Sequence, residues 1–227
     1  LDVYIDHHTD SPKGIGGGMN FCAERVNTEY IMFLHSDFWV SPDWDKACID
    51  EIKKHKNSVM VFSHRVQPKL FGEEDRPGTI FVELDEFGSY HHDFDNSYFD
   101  TWARDFTSLN DFTVRKAEGV SGLIKKSDWD IVGGNDPLFA PASAEDMDLF
   151  IRMAKKGIDF VLTSKSMVYH FGARGSHFPD DNLKNSSERQ IESEKANREK
   201  WKKKWNSPPM FDDVEMVKHE GMEIIKS

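Results

Sequence analysis

Cysteine is scarce in this chain. Cys22 and Cys48 are the only two among 227 residues. Two cysteines cannot build a disulfide framework, and the expectation is a reducing, cytoplasmic setting. Long apolar runs are missing too. The longest are about five residues, whereas a membrane-spanning helix needs about 20, so no span is expected. No charged and then apolar leader opens the chain, and no signal peptide is read there. Positive charge is in deficit, 29 Lys and Arg against 40 Asp and Glu, a net −11. Such a balance argues against nucleic acid as a partner, because phosphate-backbone binding relies on a basic excess. It leaves room for a small anion held at one local site. Aromatic residues, by contrast, are plentiful at 12%, which excludes global disorder.

The apolar pattern predicts short strands alternating with helices. Residues 1–5 read as a strand ending at Asp6, and 30–34 (YIMFL) as a strand buried on both faces. A helix is expected over 19–26. Another opens with Ser41 as cap and Pro42 as first residue, and buries Trp44, Ala47, Cys48 and Ile52. Strands follow at 59–62, 79–84, 112–115 and 120–124, with a short helix at 128–132. Residues 64–118 break the rhythm and are expected to form an insertion or substrate loop. Beyond them Ser143 is the expected cap of a helix over 144–156, and two strands are expected at 160–163 and 167–169. A charged helix over 186–205 docks by Ile191, Trp201 and Trp205, and an acidic tail follows at 207–227. The expectation is an α/β sheet with crossover helices, in one domain over 1–206.

Several side chains stand where chemistry is done. Asp37 follows the carboxyl end of a strand, where α/β sheets bind ligands. It suits either a divalent cation or a turn. Glu145 and Asp146 open a helix, where they serve either as a base aimed into a cleft or as a capping box, Ser143-x-x-Asp146. His170 ends a strand, and His177 lies in a loop with Arg174, whose guanidinium suits a diphosphate. The glycine run 14–18 precedes a helix and suits an anion or a plain turn. The clusters His7-His8-x-Asp10 and His91-His92-Asp93 lack zinc-site spacing.

The order of these pieces resembles a family 2 glycosyltransferase of the GT-A fold. Three blocks carry the resemblance: GMNFCAERVNTEYIMFLHSDFWVSPDW, GLIKKSDWDIVGGNDPLFAPASAEDMDLFIRMAKKG, and VYHFGARGSHF with NREKWKKKW. The resemblance implies a Rossmann-like, mixed but mainly parallel sheet flanked by helices, with a closing C-terminal helix. It implies that Asp37 holds Mn²⁺ or Mg²⁺ against the donor diphosphate and that His170 joins the metal. Asp146 is then the catalytic base, supported by Glu145. Asp6, Gly18, Asn20, His35, Asp37 and Arg174 contact the donor, a UDP-sugar, and the acceptor is a glycan or other hydroxyl compound. Two features depart from the family. His35 replaces the first carboxylate of its DxD motif, and the chain begins at what resembles the second strand, as a minimal form or a fragment would. A nucleotide-binding module without transfer is the competing expectation; a metal-dependent hydrolase using the histidine clusters is a weaker one.

Overall fold

The computed structural model describes residues 14–69, 78–83, 85–88, 90–116, 121–141, 143–171, 188–206 and 223–226. Its centre is a pair of long buried strands, β3 (Val59–Pro68) and β7 (Asp159–His170), which run parallel. On one side β6 (Gly122–Lys125) pairs with β3, and β1 (Tyr30–Phe33) pairs with β6. On the other, β5 (Phe112–Arg115) pairs with β7, and β8 (Glu223–Lys226) with β5. The short β2 (Phe38–Val40) pairs with the end of β7, and β4 (Thr79–Val82) with the end of β3. The sheet is mixed. Its parallel pairing is confined to β3 with β7 and β4, and the five other pairings among the described residues are antiparallel. Through β6, β1 runs in the same direction as β3 and β7, so the carboxyl ends of all three meet at one edge.

Six helices among the described residues flank the sheet. On one face α2 (Trp44–Ile52) seats Cys48 and Ile52 against Val59, Val61, Leu123 and Val161. On the other, α1 (Gly14–Ala23), α4 (Lys126–Val132) and α5 (Glu145–Lys155) bury Ala23, Trp129, Leu149 and Met153 against Phe33, Phe62 and Ile124. Buried apolar side chains of this size contribute about 1.5–3 kcal/mol each. Residues 64–118 are not a loose insertion. They supply the end of β3, β4, β5 and α3 (Asn96–Leu109), which packs Phe99 and Ala103 on Val66, Met167 and Tyr169. Asp95 caps α3 by accepting from the Tyr98 N–H at 2.9 Å. The last helix, α6 (Glu188–Trp205), buries Trp201 against Phe139 and Ala144. No helix of the described residues is long and apolar enough to cross a membrane.

Three sequence expectations change. The helix expected at Ser41 starts at Trp44, because the Ser41 N–H donates to the Met167 carbonyl at 3.1 Å and continues the β2–β7 ladder. The strands expected at 160–163 and 167–169 are one strand with a bulge opposite Ser63 and His64. The bulge is satisfied internally: the Ser63 and Ser166 hydroxyls meet at 2.6 Å, and Ser166 donates to the Trp44 carbonyl at 2.8 Å. The helix expected at 19–26 begins at Gly14.

Beside the bulge, His64 is buried between Phe112 and Phe106, and neither ring nitrogen has a partner among the described residues. Burial pushes its pKa down to about 4. A histidine lowered in the folded state binds fewer protons there than in the unfolded chain, so stability is lost as pH falls from about 6.5 to 4. By pH 4 the loss attributable to His64 is on the order of 3 kcal/mol. Urea unfolding of His64→Leu should show a smaller drop in stability between pH 7 and 4.5 than wild type.

Candidate active site

The carboxyl-end edge of the sheet gathers most of the predicted site. Past Phe33 the chain passes His35 and Asp37, then doubles back as β2 on the end of β7. Phe38 faces His170, Trp39 faces Tyr169, and the Phe171 N–H donates to the Asp37 carbonyl at 3.0 Å. That register sets the Asp37 Oδ2 3.2 Å from the His170 Nε2. The other ring nitrogen, Nδ1, lies 3.2 Å from the Gln67 Oε1 at the end of β3. Burial raises the Asp37 pKa, but the hydrogen bond and charge of His170, with His35, outweigh it and hold the carboxyl below its ordinary range.

His35 stacks flat on Phe38, with centroids 5.1 Å apart, and Phe38 stands edge-on to His170 at 4.9 Å. Burial lowers the His35 pKa. The Asp37 carboxylate opposes that shift, His170 reinforces it, and the charges of Asp146 and Arg65 also act on the ring. Asp37, His170, His35 and Asp146 therefore share one electrostatic neighbourhood. Sequence reasoning missed Gln67 and Arg65. Both lie on the part of β3 beyond Phe62, and the rule that ligands bind at carboxyl strand ends was the available signal.

Asp146 and Glu145 stand at the start of α5, and the capping-box reading fails there. Ser143 and Ala144 have φ of 80 and 73, and the helix has no side-chain cap. A capping serine needs extended φ/ψ. Instead Asp146 is exposed, with its Oδ1 accepting from the Met147 N–H at 2.8 Å. Glu145 is buried, and its Oε2 has no hydrogen-bond partner among the described residues. Two consecutive left-handed residues without glycine are strained, and strain of this kind collects at functional sites.

The loop into α5 is clamped from two sides. From α6, the Asn197 Nδ2 donates to the Phe139 and Ser143 carbonyls, both at 2.8 Å. The Lys204 Nζ reaches the Asp136 Oδ2 at 2.7 Å and the Asp148 Oδ1 at 2.5 Å. From α1, the Asn20 side chain donates to the Asn135 carbonyl and accepts from the Asn135 N–H, both at 2.8 Å. The predicted donor residue Asn20 thus spends its amide on this loop. The glycine run forms the first turns of α1 because the loop passes so close. A Cβ on Gly14 would lie 1.7 Å from the Pro141 carbonyl oxygen, and one on Gly16 3.0 Å from the Asn135 Cβ. Gly18 is the fifth residue of that helix, beyond the four free N–H groups of its first turn.

Asp6, Arg174 and His177 lie outside the described residues, as does the His7-His8 cluster. Among the described residues no group of three or more His, Cys, Asp or Glu side chains is arranged to hold a metal. Asp37 and His170 form a pair of donors, one oxygen and one nitrogen. Their 3.2 Å separation is close to the spacing of adjacent ligands on an octahedral ion, about 3 Å for bonds of about 2.1 Å. A cation held there would take its remaining ligands from water or substrate oxygens.

A family model for glycosyl transferase family 2 matches residues 4–118, just over half of the chain. The match covers the first sequence block and runs through 64–118, the segment expected to match least. No curated protein matches the chain.

Burial first, and then the neighbouring Asp146 charge, raise the Glu145 pKa to about 7. A carboxyl raised in the folded state gives stability that is present below the unfolded pKa of about 4.5 and lost as pH rises through about 7. The loss is on the order of 3 kcal/mol. Glu145→Gln, which mimics the protonated form, should unfold at higher urea than wild type at pH 8 and show no gain at pH 5.

Proposed function

The chain belongs to glycosyl transferase family 2 and is a glycosyltransferase of the GT-A fold; from that premise we propose a metal-assisted, inverting transfer from a UDP-sugar to an acceptor hydroxyl. One observation carries the reading. Asp37 and His170 lie 3.2 Å apart at the carboxyl-end edge of the sheet, and the charge of the exposed Asp146 at the start of α5 reaches His35 beside them. A base and a diphosphate pole therefore share one edge of the sheet.

In this reading the acceptor oxygen attacks the anomeric carbon as its proton passes to the Asp146 carboxylate. The bond from that carbon to the diphosphate oxygen breaks, and UDP leaves with the electron pair. Asp37 and His170 would hold Mn²⁺ or Mg²⁺, which when bound neutralises charge growing on the leaving diphosphate. Arg174 is assigned to the same charge and Asp6 to the nucleotide. His35, flat on Phe38, stands where the family's first carboxylate contacts the donor. Gly18 and Asn20 act on the donor only through the α1 surface and the loop they support. Glu145 adjoins Asp146 at the start of α5, and in its neutral form it adds no negative charge beside the base.

The test separates base from cap. Asp146→Asn should lower turnover about 10²–10⁴-fold and leave UDP affinity and melting temperature nearly unchanged, since a base acts chiefly in the transition state. Retained turnover would remove Asp146 from the mechanism. Tight UDP binding by wild type, without transfer to any acceptor in a glycan panel, would favour a nucleotide-binding module instead.

A further inference from the structure

The opposite edge of the sheet holds a cavity of about 550 Å³ that the proposed transfer does not use. Its walls come from the turn after α2, the end of β5 and the start of β7. Lys54, His55, Lys56, Arg115 and Lys116 line it, against one carboxylate, Asp159. In a chain of net −11, four Lys and Arg residues and a histidine against one acid reverse the average composition. Glu51 tempers two of the five, meeting the Lys54 Nζ at 2.9 Å and the His55 Nε2 at 3.0 Å. The side chains of Lys56, Arg115 and Lys116 have no hydrogen-bond or ion-pair partner among the described residues.

Lys116 adds a second observation. Its φ is 55, a left-handed conformation in a residue with no glycine freedom. Its N–H is fixed to the Phe160 carbonyl at 2.7 Å. The turn is thus held in a costly conformation that brings Lys116 beside Arg115 at the cavity wall.

We propose that this cavity is a second anion site, which takes a diphosphate or a similarly charged phosphorylated small molecule. The volume falls in the range of small-ligand pockets, and an arginine fork with two free lysines is chemistry suited to phosphate oxygens. The site is separate from the donor pole. Val59 borders the cavity and Gln67 borders His170, eight residues along β3, which is about 26 Å at about 3.3 Å per residue. One donor molecule cannot fill both.

Calorimetric titration with inorganic pyrophosphate in EDTA tests this. Wild type should bind at one site, with affinity that falls as salt rises. The exposed pair Lys56→Glu and Arg115→Glu should weaken binding about tenfold or more, since two charge-assisted contacts become repulsive. Lys116→Gly, which suits the left-handed φ and cannot harm the turn, should weaken it in the same direction. Asp37→Asn should bind pyrophosphate like wild type. No binding by wild type, unchanged affinity in the double variant, or loss of binding in Asp37→Asn would each overturn the proposal.

Discussion

The site depends first on a three-residue register. Phe38, Trp39 and Val40 pair with the last turn-free stretch of β7, and that alone brings Asp37 to His170. The pairing is too short to stand by itself. It is held by Tyr169, Phe94 and Phe171 beneath it and by α3, whose Asp100 carboxylate accepts from the Trp39 Nε1 at 3.1 Å. A one-residue slip would turn every β2 side chain to the other face. The aromatic packing of α3 therefore keeps the Asp37–His170 pair in place, although α3 carries none of the proposed chemistry.

The other pole is built around Asp148, which is fully buried. Its carboxylate accepts from the Arg152 Nε at 2.7 Å and the Trp205 Nε1 at 3.0 Å, and it pairs with Lys204. A buried carboxylate is tolerable only when so satisfied. The arrangement joins α5 to α6, and with Asn197 on the Ser143 carbonyl it holds the left-handed residues just before α5 in place. The loop that leads into Asp146 is held by α6, which lies more than 40 residues later in sequence. Two independent constructions thus meet at one edge: β2 on β7 for Asp37 and His170, and α6 on α5 for Asp146.

Much of this was legible in the residues. The apolar run at 30–34 and the alternating pattern at 112–115 gave β1 and β5 because each is set by local burial. The blocks around Asp37, Asp146 and His170 placed the site at carboxyl strand ends. What escaped was set by distant partners. β2 exists only through β7, some 130 residues away, so three residues after a turn gave no signal of their own. The Asn20–Asn135 exchange spans 115 positions, and only the family resemblance spoke for Asn20, as a donor contact. The break at Ser164-Lys165-Ser166 resembled a loop because a bulge puts polar residues inside a strand. α3 was readable and overlooked: Phe99, Trp102, Ala103 and Phe106 recur at helical spacing after the Asp95 cap, but the acidic aromatic stretch before it suggested a loop.

In the proposed function Asp37 and His170 receive the donor diphosphate through a cation. Titration of the wild-type protein with UDP, in Mn²⁺ and again in EDTA, tests it most directly. Binding is expected in Mn²⁺ and its near loss in EDTA, because two protein ligands leave the cation's other positions to water and diphosphate oxygens. Equal affinity in the two conditions would contradict it.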